Sequence, residues 1–269
     1  MVFNTPEGIA ALTPLNPFDR LPDGRPCVPA ALLERMQLVT TEEAWSIGRR
    51  NNYRFQFEGN WQNLHPERIL VGRAVTAQFL PIRPDLHDYV EAWGKDHGRS
   101  GGQNTWVIDS LTEHDVLVVD LFGKIKYGTI VGDNLSTGIK SRGGTGLVVD
   151  GGIRDLQRVM QLPGFNAFLR GVDPSAIADV TLVGVNIPIR IGNATVLPGD
   201  VVLGTPTGVT FIPPHLAQAV VEHSENTRLR DMFGQQRIAE GRYTSGQIDV
   251  GKWADDIEAD YQAWFASRG

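Results

Sequence analysis

The residues best suited to chemistry sit in two short loops. One is Gly132-Asp133-Asn134-Leu135-Ser136; the other is Asp150-Gly151-Gly152-Ile153-Arg154-Asp155. In the first, Gly132 lets the backbone turn sharply or approach a ligand closely. The amides of Asn134 and Leu135 then open an expected helix, where unpaired N–H groups favour an anion such as a substrate carboxylate. Asp133 at that place reads equally as a helix-capping side chain. In the second loop, Gly151 and Gly152 leave room beside the backbone. Arg154 offers a planar, permanently charged fork for a carboxylate, and Asp155 is a hard oxygen ligand suited to Mg2+. An Arg beside an Asp at a helix start is also an ordinary surface pair. Magnesium takes one or two protein carboxylates and keeps its waters, so a metal needs no histidine cluster here.

Other chemistries are poorly supplied. The histidines (65, 87, 97, 114, 215 and 223) show no metal-ligand spacing, although His87 and His97 are candidates to line a pocket. No Ser lies in a G-x-S-x-G elbow. The glycine-rich stretch 143–152 lacks both a P-loop lysine and a dinucleotide-binding spacing. Lys124 and Lys126 lack the apolar setting that would activate an amine for a Schiff base. Cys27 is the only cysteine, which removes an intrachain disulfide and a thiolate zinc site.

The elements that must position the two loops follow from hydrophobic pattern. Val116–Leu121 and Leu147–Asp150 read as buried strands, Asn134–Ser141 and Ile153–Gln161 as helices. Their alternation argues for parallel βαβ units of the α/β class, with both loops at the carboxyl ends of strands, where open α/β sheets place ligands. Tyr127–Val131 reads as a further strand, and Ile69–Phe79 as another. Pro29–Gln37 and Thr41–Arg49 read as short helices, Thr41 being the expected cap. Residues 179–212 suggest several short strands, and 235–251 an irregular return between helices at Leu216–Arg230 and Ala254–Phe265. Domain limits follow: an N-terminal arm and helices at 1–66, a core at 67–230 with a polar insertion at 81–104 that contains one short helix, and a helical extension at 231–269.

Composition bounds the partners. The chain has 269 residues, 41% of them hydrophobic, which suits a sizeable core. Lys and Arg number 25 and Asp and Glu 31, a net charge of −6 that gives no general attraction to nucleic acid or anionic lipid. No signal-like N-terminus or membrane-length apolar run occurs, so a cytoplasmic protein without membrane or nucleic-acid partners is expected.

Asp133, then twenty residues, then Arg154-Asp155 resembles the signature of the class II 4-hydroxy-4-methyl-2-oxoglutarate / 4-carboxy-4-hydroxy-2-oxoadipate aldolases. These share a family with the proteins called regulators of ribonuclease E activity A. Supporting text includes Gly72-Arg-Ala-Val-Thr76, Val116–Asp120, Gly143–Gly151, Pro163-Gly-Phe165 and Pro198-Gly-Asp-Val-Val202, so the likeness spans about 67–230. The resemblance implies a swivelling β/β/α fold and homotrimers or homohexamers with sites between subunits. It implies Mg2+ or Mn2+ at Asp155, an oxo acid on Arg154, its carboxylate at the amides near Asn134 and Leu135, and a metal-held water oriented by Asp133. The implied activity is a retro-aldol cleavage of a 4-hydroxy-2-oxo acid through a pyruvate enolate, with oxaloacetate decarboxylation as a side reaction. Departures are present: Leu203-Gly-Thr-Pro-Thr207 stands where many relatives carry an Asp. The acid that relatives supply from a neighbouring subunit has only Glu222 and Glu225 as candidates. A non-catalytic regulator that binds a ribonuclease or helicase, and a hydratase or tautomerase using the same enolate, remain the alternatives.

Overall fold

The computed structural model describes residues 2–268. Helices α1 (Pro6–Leu12), α2 (Ala30–Met36) and α3 (Thr41–Arg50) come first. The N-cap of α3 is Thr40 rather than Thr41. Its hydroxyl accepts the Glu43 N–H while the Glu43 carboxylate accepts the Thr40 N–H, a reciprocal capping box. Thr41 instead hydrogen-bonds the hydroxyls of Thr205 and Thr207 at 2.6 and 2.7 Å.

Strands β1 (Phe57–Glu58) and β2 (Gln62–Asn63) precede the long β3 (Leu70–Pro81). The insertion forms α4 (Pro84–Asp96), thirteen residues rather than one short helix, and the start of α5 (Gln103–Ile108). Then follow β4 (Asp115–Thr129), α6 (Asp133–Ser141), β5 (Gly146–Ile153), α7 (Leu156–Val159) and β6 (Asn166–Val172). Short strands β7 (Val180–Val185), β8 (Ile189–Ile191), β9 (Ala194–Val196), β10 (Val201–Thr205) and β11 (Gly208–Ile212) complete the sheets. The chain ends in α8 (Pro214–Ala239), α9 (Ser245–Ile248) and α10 (Asp255–Ala266). The expected irregular return at 235–251 is thus largely helical.

The main sheet runs β1-β11-β10-β3-β4-β5-β6-β2, with β3 to β6 mutually parallel and the flanking strands antiparallel. β3 serves two partners along one edge: β10 at Leu70–Arg73 and β7 at Ala77–Pro81. Both faces of the parallel core are covered, which is why its strands are apolar runs rather than alternating ones. Val116, Val118 and Val148 face the β8–β9 hairpin and Phe211. Leu117, Val119, Leu147 and Val149 face α5 and α6 through Trp106, Ile108 and Ile139. The order of layers is hairpin, sheet, helices: a β/β/α arrangement of the α/β class.

Two expected elements end differently. Tyr127–Val131 is not a separate strand. β4 continues to Thr129 by bulging twice against β5, pairing Asp120 with Asp150, Lys124 with Gly151 and Thr129 with Gly152. The expected helix Ile153–Gln161 is reduced to Leu156–Val159, because Gly152 and Ile153 pair with Gly171 and Val172 and extend β5.

The chain divides into two compact units, 1–220 and 221–269, considered over their described residues. In the second, Phe233, Trp253 and Trp264 are buried together. Arg237 grips Asp260 through Nε and Nη2 at 2.8 and 2.9 Å, and the Arg230 guanidinium lies 3.7 Å from the Trp253 ring centre. Among the described residues no helix is long and apolar enough to cross a membrane.

In the first unit, Arg25 and Asp115 form a fully buried bidentate pair at 2.8 and 2.9 Å, tying the N-terminal segment to the start of β4. Removing one partner strands the other charge. Arg25→Met is expected to cost about 3–5 kcal/mol of stability in denaturant unfolding. A loss below ~1 kcal/mol would show that Arg73, whose Nε lies 3.8 Å from Asp115, takes over the charge.

Candidate functional site

The first chemical loop follows β4, whereas Asp150–Ile153 of the expected second loop are the last residues of β5 and only Arg154 and Asp155 lie beyond it; β4 and β5 are neighbours in the parallel sheet, so the ladder delivers the two segments side by side. Ile130 N–H donates to Gly152 O and Arg154 N–H to Val131 O, each 3.0 Å, which locks one loop to the other at the backbone. Asn104 at the start of α5 donates to Ile130 O at 2.8 Å and supports the same turn from behind.

Gly132 is where the loops meet. A Cβ there would lie 2.3 Å from Asp155 Oδ2 and about 3 Å from Arg154 Nε and Cγ. The backbone at Gly132 is extended, so glycine is needed for space and not for an unusual dihedral. Gly132 is also the N-cap of α6 and makes no side-chain cap. Asp133 is therefore the first residue of the helix rather than its cap. Its Oδ1 accepts the Asn134 N–H at 2.8 Å and its Oδ2 accepts from Arg158 Nη1 at 3.0 Å. The Asn134 amide is thus occupied within the loop, while Leu135, one position on, also belongs to the first turn of α6, whose amides have no intrahelical acceptor.

Asp155 adopts a left-handed backbone, φ 54°, at the N-cap of α7. That conformation is uncommon outside glycine and Asn/Asp, and it turns the chain abruptly out of β5. Arg154 Nε lies 3.6 Å from Asp155 Oδ2, and both side chains are about two-fifths exposed, at 42% and 41%. The site is therefore two carboxylates and two guanidiniums around a glycine, open to solvent on one side. The hydrogen bond from Arg158, then that from Asn134 N–H, hold the Asp133 carboxyl below the usual carboxylate range. A lowered carboxyl is ionised throughout neutral pH, and its pairing is lost only as the pH falls through the folded-state value.

The arrangement brings Gly132, Asp133, Asn134, Leu135, Arg154 and Asp155 to one place. Arg158 was missed from sequence, although it stands four residues after Arg154; its partner Asp133 is distant in the chain. A polar row at the strand ends was also missed. Gln78, Asp120 and Asp150 are register partners across β3, β4 and β5. Arg170 Nε meets Asp150 Oδ1 at 2.7 Å, its Nη2 meets Glu58 Oε1 at 2.9 Å, and its guanidinium stacks over Trp61 at 3.8 Å. This network anchors β5 just before the glycines of the second loop. The insertion histidines part company. His87 lines a cavity of about 300 Å3 with Glu91, Gln103 and Asn104, while His97 stacks on Trp93 at 4.0 Å.

As a metal site, the donor set is carboxylate oxygen without thiolate or imidazole, and no group of three or more potential ligands occurs among the described residues. That fits a hard divalent cation that keeps most of its waters, and not a closed structural zinc site.

Known proteins resemble this chain in sequence and in fold. A 31% identical relative over 144 residues is a putative 4-hydroxy-4-methyl-2-oxoglutarate aldolase of Halalkalibacterium halodurans, with 52% of this chain and 68% of that one aligned. The crystal structure of RraAS2 of Streptomyces coelicolor, described as an unusual member of the RNase ES inhibitor RraA protein family, superposes with a TM-score of 0.67. It is 26% identical and covers 82% of this chain and 100% of that one. An uncharacterized protein of Pseudomonas syringae pv. tomato has the same fold, with a TM-score of 0.68 at 21% identity and coverage of 86% and 96%. The RraA-like family model, Aldolase/RraA, matches residues 42–211. Both chemical loops fall inside that span, and the chain belongs to the RraA-like Aldolase/RraA family.

Proposed function

We propose that this chain is a divalent-metal-dependent lyase that cleaves the C3–C4 bond of a 4-hydroxy-2-oxo acid. The observation that carries the reading is the closure of the two loops at Gly132, which brings Arg154 and Asp155 against the start of α6 beside Asp133. Asp155, with Asp133 beside it, would hold Mg2+ or Mn2+. When bound, that cation supplies Lewis acidity towards the 2-oxo oxygen on which negative charge develops.

The chain's own groups do the rest. Arg154 and the Leu135 amide in the first turn of α6 bind and orient the substrate carboxylate, giving fixed positive potential that needs no reorganisation during the reaction. Gly132 leaves the space that the Asp155 carboxylate and the Arg154 side chain fill, which holds both groups against the start of α6. Asp133, ionised through its contact with Arg158, accepts a hydrogen bond from the C4 hydroxyl or from solvent, and solvent carries the proton away. The C3–C4 bonding pair then becomes the enolate of pyruvate, C4 becomes a carbonyl, and a solvent proton added at C3 completes pyruvate. Oxaloacetate would lose CO2 through the same enolate. A homotrimer or homohexamer with the open side of the site facing a neighbouring subunit is part of the proposal.

A second reading is favoured by the likeness, over its full length, to the Streptomyces protein of the RNase ES inhibitor RraA family. In that case the loops would form a binding surface for a ribonuclease.

Wild-type protein with Mg2+ is expected to release pyruvate from 4-hydroxy-4-methyl-2-oxoglutarate and from oxaloacetate, and to lose both activities in EDTA. Pyruvate from neither, together with no retained metal, would move the assignment to the ribonuclease-binding reading. Asp155→Ala should abolish the metal-dependent turnover, and near-normal activity in that variant would remove Asp155 from the site. Arg154→Ala should lower kcat/KM by roughly 2–3 kcal/mol, the scale of a hydrogen bond to a charged group.

Gly132→Ala makes a separate prediction. Only the mobile ends of Asp155 and Arg154 must give, so stability should change by less than about 1 kcal/mol. Displacing those groups should still cost activity on the order of 100-fold. Unimpaired activity in this variant would mean that the contact across Gly132 is not part of the site.

A further inference from the structure

A second cavity, of about 310 Å3, lies in the first unit, built from elements other than the two chemical loops. The end of α1 and the turn after it form one wall, the Leu197–Asp200 turn and the β8–β9 hairpin another, and the start of α8 a third. Its volume is at the low end of the range for small-molecule sites, about 300–1,000 Å3. The walls are mostly apolar: Leu12, Pro14, Leu15, Leu197, Pro213 and Pro214.

Several of its polar groups are already engaged: Thr13 Oγ1 donates to Ile9 O, Asn16 Nδ2 to Phe18 O, and Gln56 Nε2 to Thr195 O and Phe211 O. Asp200 is only 2% exposed. Its Oδ2 accepts the Leu197 N–H at 2.8 Å, which is all the turn requires. Among the described residues no protein donor reaches the other carboxyl oxygen, on a side chain that lines the cavity. Opposite stand Tyr53 and His215, joined through the Tyr53 hydroxyl and His215 Nε2 at 3.3 Å. No Lys or Arg lines the space, and Pro213 and Pro214 have no N–H to offer. The space thus has no permanent cation to hold a carboxylate or a phosphate. A carboxylate this buried with a single hydrogen bond is costly, so the partner that suits it is a hydrogen-bond donor that enters with an apolar body.

We propose that this cavity binds a small organic amine: an aromatic or branched aliphatic body bearing one protonated amino group, with the ammonium donating to Asp200 and the body against the leucines and prolines. The chemistry is opposite to that of the Arg154 loop, which is built for anions. Burial pushes the Asp200 carboxyl up to about 7, and burial also lowers the His215 imidazole, so an arriving cation meets no fixed positive charge and restores the carboxylate.

Three probes of near-equal shape test this on the full chain by calorimetry and ligand-observed NMR: 2-phenylethylamine, 2-phenylethanol and 3-phenylpropanoate. The amine should bind saturably and at least about tenfold tighter than the alcohol, and the carboxylate should not bind. Asp200→Asn keeps an acceptor for the Leu197 N–H, and should lower amine affinity about tenfold or more while leaving the alcohol unchanged. Leu15→Arg, at a position 62% exposed on the rim, sets a cation at the mouth without touching the core. It should weaken the amine even if Asp200→Asn does not fold. Arg154→Ala should bind the amine like wild type. The proposal is overturned by absence of saturable amine binding, by equal binding of the three probes, by wild-type amine affinity in Leu15→Arg, or by loss of binding in Arg154→Ala.

Discussion

The absence of a single methyl group at residue 132 governs how the two loops sit. They follow adjacent parallel strands and arrive at the same height, but adjacency alone would leave them a side chain apart. With hydrogen at Gly132, the Asp155 carboxylate and the Arg154 stem pack directly on the backbone that opens α6. A Cβ would stand 2.3 Å from Asp155 Oδ2, closer than nonbonded atoms allow. Two sequence-distant groups of charge are thereby brought together at the start of α6.

That contact needs a rigid base. The four parallel strands are sealed on both faces, by the hairpin and Phe211 on one side and by α5 and α6 on the other. At the carboxyl ends of the strands Gln78, Asp120 and Asp150 line up across the sheet and Arg170 ties Asp150 to Glu58. A buried ionic network of this kind contributes less to net stability than to geometry, because removing one member leaves another charge unpaired. Its position immediately before Gly151 anchors β5 ahead of its last residues, Gly151–Ile153.

Much of this was legible in the sequence where burial is complete. VLVVD at 116–120 and LVVD at 147–150 can only be strands covered on both faces, and the loops after them had to lie at one end of the sheet. The six residues assigned to the site do converge in space. Local propensity failed where long-range pairing outweighed it. Ile153–Gln161 has helical character, yet Gly152 and Ile153 are taken by Gly171 and Val172, and the helix begins only after the left-handed turn at Asp155. The cap of α3 was readable: Glu43 stands three residues after Thr40, the spacing of a capping box, and not three after Thr41. Arg158 was not readable, because its meaning lies in a carboxylate twenty-five residues away. Asp200 illustrates the same limit. As part of Pro198-Gly-Asp it reads as a turn, and only the fold shows its second oxygen left to a cavity.

The central claim is that Asp155, Arg154 and the opening of α6 act together on a planar oxo-acid anion and its enolate. Oxalate, a planar dianion with the charge layout of the pyruvate enolate, probes that claim without requiring turnover. Its dissociation constant should be measured by calorimetry on wild type, Asp155→Ala and Arg154→Ala, with Mg2+ and with EDTA. The account predicts tight binding only in wild type with Mg2+, and at least about tenfold weakening from either substitution or from chelation. Oxalate that binds equally well without metal, or equally well to both variants, would contradict it.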